Sequence, residues 1–228
     1  DVFGGMLMFD GDMSRGNIRQ GELDAYKAFD LLDGYYYAFK KYEKYKIAPF
    51  EPYCAKKFDA VFSGLPSAGR IEKSGRESVL SFLRGYDDRP FEFNSNVLYC
   101  AETAADIFGI STREEYTVAS LDKLINESAT ALITEEYGTK IDELSEKLDK
   151  GLSLDLLKMV ANNLDKKFLL AYTLKILLGD SIEYADKRRL WLVGDIMPQV
   201  FCAALYCCAS ILNAKNNGKE TQNENSNS

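Results

Sequence analysis

From Ile196 to Leu212 the chain reads IMPQVFCAALYCCASIL, seventeen residues in which only Gln199 and Ser210 are polar. A helix that is apolar on every side belongs either in a membrane or at the centre of a bundle. Seventeen residues is the short limit for a membrane span, and Asp195 and Pro198 stand at one end of this one. The stretch therefore reads as the buried central helix of a bundle. It forms the body of a single element from Tyr184 to Asn213, with Lys187, Arg188 and Arg189 just upstream.

Around that helix, residues 97–213 read as almost purely helical. Val97–Phe108 ends at Gly109, a residue suited to the left-handed position after a helix. Ser111 followed by Glu114 matches the S-x-x-E capping box and predicts a helix start. Further helices are expected over Ser120–Glu136, Thr139–Lys150, Ser153–Leu164 and Lys166–Leu178, with Gly138, Gly151 and Gly179 at their ends. Short connections between helices of this length predict an antiparallel bundle. The fold class is mainly α, with at most one or two short strands.

The first part of the chain is less regular. Residues 1–21 contain five glycines and one apolar run, Met6–Phe9, and read as an irregular arm. From Glu22 to Lys46, apolar residues recur at three and four, which predicts one long tyrosine-rich helix closed by Pro49 and Pro52. A short helix is expected over Cys54–Phe62, then an exposed polar loop over 63–78, a helix over Glu77–Leu83, and a strand at Phe91–Phe93. The domain reading is an arm (1–21), one mainly helical domain (22–213, of which 22–96 is the tyrosine-rich, loop-rich part), and a disordered polar tail (214–228). The first residue is Asp1 rather than Met, so a few preceding residues are expected, and no stretch of the chain reads as a signal peptide.

Composition narrows the chemistry. Of 228 residues, 46% are apolar, enough for a proper core, and none is histidine. That absence excludes Ser-His-Asp and Cys-His nucleophiles, histidine-ligated metals and histidine general bases. The five cysteines are odd in number and lie mostly in apolar surroundings, which predicts reduced, buried thiols and a cytoplasmic protein. Net charge is −7, against nonspecific nucleic-acid binding. Residues 101–213 carry 18 acidic and 12 basic side chains, so the acidity belongs to the second half.

Two carboxylate arrangements remain. Asp142-Glu143-x-x-Glu146 and Glu183-x-x-Asp186 each place acids three apart on one helix face, so two facing helices would offer four carboxylates to magnesium. The pattern resembles the E-E-x-x-E…E-x-x-D signature of the all-α nucleotide pyrophosphohydrolases, the MazG-like and dimeric dUTPase-like group, with Asp142 in place of the first glutamate. The resemblance implies magnesium-dependent hydrolysis through Glu143, Glu146, Glu183 and Asp186. The second arrangement, Met6-Leu-Met-Phe-Asp10-Gly-Asp12-Met-Ser14, resembles the first motif of haloacid-dehalogenase-type phosphotransferases. That resemblance implies Asp10 as nucleophile, Asp12 as acid/base, and a doubly wound sheet. Asp87 and Asp88, before Arg89 and Pro90, read as a solvated turn.

Two binding surfaces are also candidates. Tyr26, Tyr35, Tyr36, Tyr37, Tyr42 and Tyr45 form an aromatic interaction face. Arg70, Lys73 and Arg76, beside Gly69 and Gly75, form a candidate anion-binding concavity without Walker A spacing. The expected function is that of a soluble, non-catalytic interaction or assembly protein. Its partner would be another protein or a second copy. Neither cofactor nor specific nucleic acid is expected, nor is membrane contact.

Overall fold

The computed structural model describes residues 11–62, 70–84, 96–137 and 166–226. Among them lie eight α-helices and one small three-stranded sheet, a mainly α bundle as expected. In chain order these are α1 (Gly11–Ala28), β1 (Leu32–Asp33), β2 (Ala38–Lys40), a 3-10 helix (Glu43–Phe50), α2 (Glu51–Phe62), α3 (Arg70–Arg84), α4 (Val97–Phe108), β3 (Glu115–Tyr116) and α5 (Val118–Ala131). A π-helical turn (Leu132–Glu136), α6 (Lys166–Leu178), α7 (Tyr184–Ile196) and α8 (Pro198–Ser226) complete the described elements.

Helix α8 occupies the centre. Every residue from Val200 to Ile211 is buried, because α2, α3, α4, α5, α6 and α7 all pack around it. Alanine and cysteine at 202–204 and 207–209 keep its surface low, so neighbouring backbones approach closely. Its few polar groups are partnered. The Cys54 thiol donates to the Leu205 carbonyl, the Tyr206 hydroxyl donates to Asp122 at 3.1 Å, and the Asn126 amide donates to Ser210 at 2.9 Å. Burial raises the Asp122 carboxyl above its ordinary pKa. Among the described residues no helix is long and apolar enough to cross a membrane.

The expected single element from Tyr184 to Asn213 is instead two helices. Pro198 disfavours helical geometry at Met197, whose φ of −138° and ψ of 67° end α7, and Pro198 then opens α8 at the position where its missing N–H costs nothing. Helix α8 also continues to Ser226, through the segment expected to be a disordered tail. Once twelve buried residues hold the preceding turns, each further residue adds a hydrogen bond without a new nucleation cost.

Residues 70–78 are not loop but the first turns of α3, which crosses α7 at two glycines. A Cβ on Gly75 would lie 2.2 Å from the Trp191 carbonyl oxygen, and one on Gly194 would lie 3.3 Å from the Gly75 carbonyl oxygen. Only glycine lets the backbones meet there. Ser74 and Ser78 donate to Asp195 at 2.6 and 3.2 Å, and the Trp191 indole N–H donates to the Val61 carbonyl at 2.8 Å. Gly75 is thus a packing glycine rather than loop punctuation.

The arm is likewise helical from Gly11. Only Gly16 and Leu23 of α1 are buried, so packing contributes little. Pairs three and four apart hold the helix instead: Arg19 with Glu22, Gln20 with Asp24, Asp24 with Lys27, and Tyr26 with Glu22. The expected Ser111 cap is also displaced. Helix α5 starts at Val118, where Thr117 and Ser120 exchange the two bonds of a capping box. The Gly109 cap (φ 74°) stands as expected. The helices expected at 139–150 and 153–164, the strand at 91–93 and the Asp87-Asp88 turn lie outside the described residues.

Candidate interaction surface

The long tyrosine-rich helix expected over 22–46 is a hook. Asp30 (φ 58°) turns the chain out of α1, and Gly34 (φ +105°) turns it again between β1 and β2. A Cβ at Gly34 would meet the Tyr37 carbonyl oxygen at 2.2 Å, so another residue would be strained twice over. Strand β1 pairs antiparallel with β2, which pairs parallel with β3. Aromatic residues suit a half-buried pleated surface as well as a helix face, and here the sheet prevails.

Glu102 of α4 holds the turn from beneath. Its two carboxylate oxygens accept the backbone N–H groups of Tyr35 and Tyr36, each at 2.8 Å. Lys27 reaches from α1 to the carbonyls of the same two residues, at 3.0 and 3.3 Å. Burial pushes the Glu102 carboxyl up to about 7, against the opposing pull of those N–H groups and of Lys27.

Beyond β2 the hook presents two tyrosines to solvent. Tyr42 and Tyr45 are each 67% exposed, and their rings stack at 6.5 Å with an interplanar angle of 22°. Lys41 lies 6.0 Å from the centre of the Tyr42 ring and Lys44 lies 5.5 Å from that of Tyr45. Lys44 and Lys41 also stand 3.5 and 3.9 Å from the buried carboxylate of Asp33. Between them in sequence, buried Glu43 accepts the Val118 N–H at 2.9 Å and pairs with Lys46, and that ion pair lowers its carboxyl pKa. The two rings are therefore mounted on an anchored segment.

Tyr42 is itself in the left-handed region, at φ 70° and ψ −1°. A bulky residue held there costs about 1–3 kcal/mol. With two thirds of its surface exposed, the residue gains little burial in return. Strain of this kind collects at functional positions, which singles out Tyr42.

The six tyrosines do not share one face. Tyr42 and Tyr45 form the platform, and Tyr36 is 47% exposed. Tyr26 lies on α1 and donates to Glu22 at 3.0 Å. Tyr35 is half-buried, edge-on to Tyr99 at 5.8 Å. Tyr37 belongs to the core, fully buried, with its hydroxyl on the Ile110 carbonyl at 2.9 Å and its pKa raised by burial. Sequence reasoning missed Phe29, 75% exposed, and Leu31, also exposed, because helical spacing placed Phe29 in the core. The Gly34-flanked aromatic run was the signal for a turn.

The remaining candidates fall elsewhere. Arg70, Lys73 and Arg76 lie along α3, with Lys73 and Arg76 exposed at helical spacing, so the expected loop concavity is absent from this segment. Glu183 is exposed at the start of α7, and Asp186 pairs with Arg189 at 2.8 Å. Glu143 and Glu146 lie outside the described residues, as does Asp10. Among the described residues no group of three or more acidic or cysteine side chains could hold a metal ion. Asp12 sits in the first turn of α1 and pairs with Arg15, and the described sheet is not the doubly wound one that the phosphotransferase resemblance implies. No protein-family model, curated protein or solved structure matches this chain.

Proposed function

We propose that this chain is a soluble, cytosolic, non-catalytic interaction protein that docks through the Tyr42–Tyr45 platform onto a protein partner or a second copy. The observation that carries the reading is Tyr42, a strained and exposed aromatic residue on an anchored mount. Stacked tyrosines offer large, rigid contact area at small entropic cost, and they are enriched where proteins meet. Lys40, Lys44 and Lys46 around them are exposed and favour an acidic counterpart. The second half of this same chain has that character, with 18 acids against 12 bases over 101–213. Five free, buried thiols support a reducing compartment.

The test joins light scattering after size exclusion to affinity capture from native extract, for the wild type and for the double variant Tyr42→Ser, Tyr45→Ser. The reading expects a dimer or a captured partner that the double variant loses. A strict monomer that captures nothing refutes it, as does a double variant that associates like the wild type.

A further inference from the structure

Helix α1 meets the rest of the protein along one narrow side, where Gly16 and Leu23, seven residues apart, are buried. Its opposite side carries Gly11, Ser14, Ile18, Gly21, Ala25 and Ala28, recurring at three and four. Ile18 is 72% exposed there, and a Cβ on Gly21 would have nothing within 4 Å. No described residue covers either of them. We propose that α1 pairs antiparallel with α1 of a second copy across a twofold axis, with this outer face as the seam. This goes beyond the Tyr42–Tyr45 platform and does not use it.

Shape sets the direction of pairing. Glycine inside a helix weakens it, and Gly16 and Gly75 each answer to a close neighbour, Arg113 for the first and the Trp191 backbone for the second. Gly21 answers to nothing among the described residues. In an antiparallel seam centred between Ile18 and Gly21, the Ile18 side chain of one copy enters the space left by Gly21 of the other, twice by symmetry. Ser14 then meets Ala25, and Gly11 meets Ala28. A parallel seam would set Ile18 on Ile18 and Gly21 on Gly21, crowding one layer and leaving a gap at the other.

Charge complementarity identifies the occupant as a second copy. Arg15 and Glu22, both exposed, stand seven residues apart on one flank of the outer face, and exposed Asn17 and Asp24 stand seven apart on the other. A twofold axis lays each flank against itself in reverse order. Arg15 of one copy then faces Glu22 of the second copy, and Glu22 faces its Arg15. On the other flank the Asn17 amide is placed to donate to the Asp24 carboxylate, again twice. All four contacts are favourable, and the two helix dipoles oppose each other. Exposed pairs of this kind add little energy, so they fix direction and register while the packed seam supplies the contact.

The experiment is sedimentation equilibrium of the full chain, alongside Gly21→Leu, Arg15→Glu and the charge-exchanged double variant Arg15→Glu, Glu22→Arg. All three positions are exposed and leucine favours helix, so the variants should fold, and circular dichroism verifies it. A dimer is expected, weakened at least about tenfold by Gly21→Leu, which fills at two places the space that Ile18 enters. Arg15→Glu should weaken it about tenfold, since two attractive pairs become repulsive, and the double variant should restore it. Direction is read by mixing Ser14→Cys chains with Ala25→Cys chains under a mild oxidant, with the wild type, whose own thiols are buried, as control. An antiparallel seam links unlike chains, and a parallel one links like chains. The dimer should survive Tyr42→Ser, Tyr45→Ser, in which the platform's captured partner or a further step of association is lost, so the two readings fail separately. The proposal is overturned by a strict monomer, by a dimer indifferent to Gly21→Leu, by a double variant as weak as Arg15→Glu, or by disulfides between like chains alone.

Discussion

Replacing Glu102 by glutamine should change how stability depends on pH. In the folded chain the Glu102 carboxyl is buried and titrates near 7, against an ordinary value of 4.5. Between these values the folded state holds a proton that the unfolded state has released. Stability from this group is therefore complete below 4.5 and is lost as pH rises through 7. The full gap corresponds to roughly 3 kcal/mol, of which roughly 2–3 kcal/mol falls between about pH 5 and 8. Glutamine cannot titrate. It can accept the N–H of Tyr35 or of Tyr36 but not both, because its amide nitrogen is a donor, so the turn loses one bond at every pH. Urea unfolding of both proteins at several pH values between about 5 and 8 measures the difference directly. Wild-type stability should fall by about 2–3 kcal/mol more than that of Glu102→Gln across the range. A constant difference would show that Glu102 does not titrate there, and the buried-carboxyl argument would fail. A difference that widens in favour of the wild type as pH rises would show that the two N–H groups outweigh burial and hold the carboxyl at or below its ordinary value.

Other consequences can be checked with simpler measurements. Gly75→Ala would gain about 1 kcal/mol from helix propensity. Its Cβ nevertheless meets the Trp191 backbone, so a net loss of about 1–3 kcal/mol is expected from a thermal melt, and a stabilised variant would contradict the close α3–α7 crossing. All five cysteines are buried, and burial pushes the thiols of Cys54, Cys202 and Cys207 well up and that of Cys208 up to about 11. A thiol reagent at about pH 8 should therefore label the native chain only as fast as it opens, and all the cysteines in denaturant. Rapid labelling of any of these four without denaturant would contradict the central position of α8.

The bundle was legible because its signals are local and redundant. A run apolar on all sides from Val200 to Ile211 has few homes, and Gly109 ends α4 where a left-handed residue is needed. The hook was not legible, since the apolar residues at three and four from Tyr26 to Tyr42 match a helix face, while the observed strands, two and three residues long, are too short to show an alternating pattern of their own. The sheet is selected by groups far away in the chain. Glu102 lies 67 residues from Tyr35, and β3 lies beyond α4. Residues 70–78 misled for a related reason. Glycine and serine that look like loop punctuation are there to fit the Trp191 backbone and to donate to Asp195. The platform required knowing that Tyr42 has a positive φ, which spacing alone does not encode.

The sharpest test of the platform is Tyr42→Gly. Glycine occupies the left-handed region without steric penalty, so the substitution relieves that strain of about 1–3 kcal/mol while it removes the ring. A melting temperature equal to or above that of the wild type, together with loss of self-association or of the captured partner, is the expected result. Association at wild-type strength, or a marked fall in melting temperature, would mean that Tyr42 is held in place for the fold rather than for a partner.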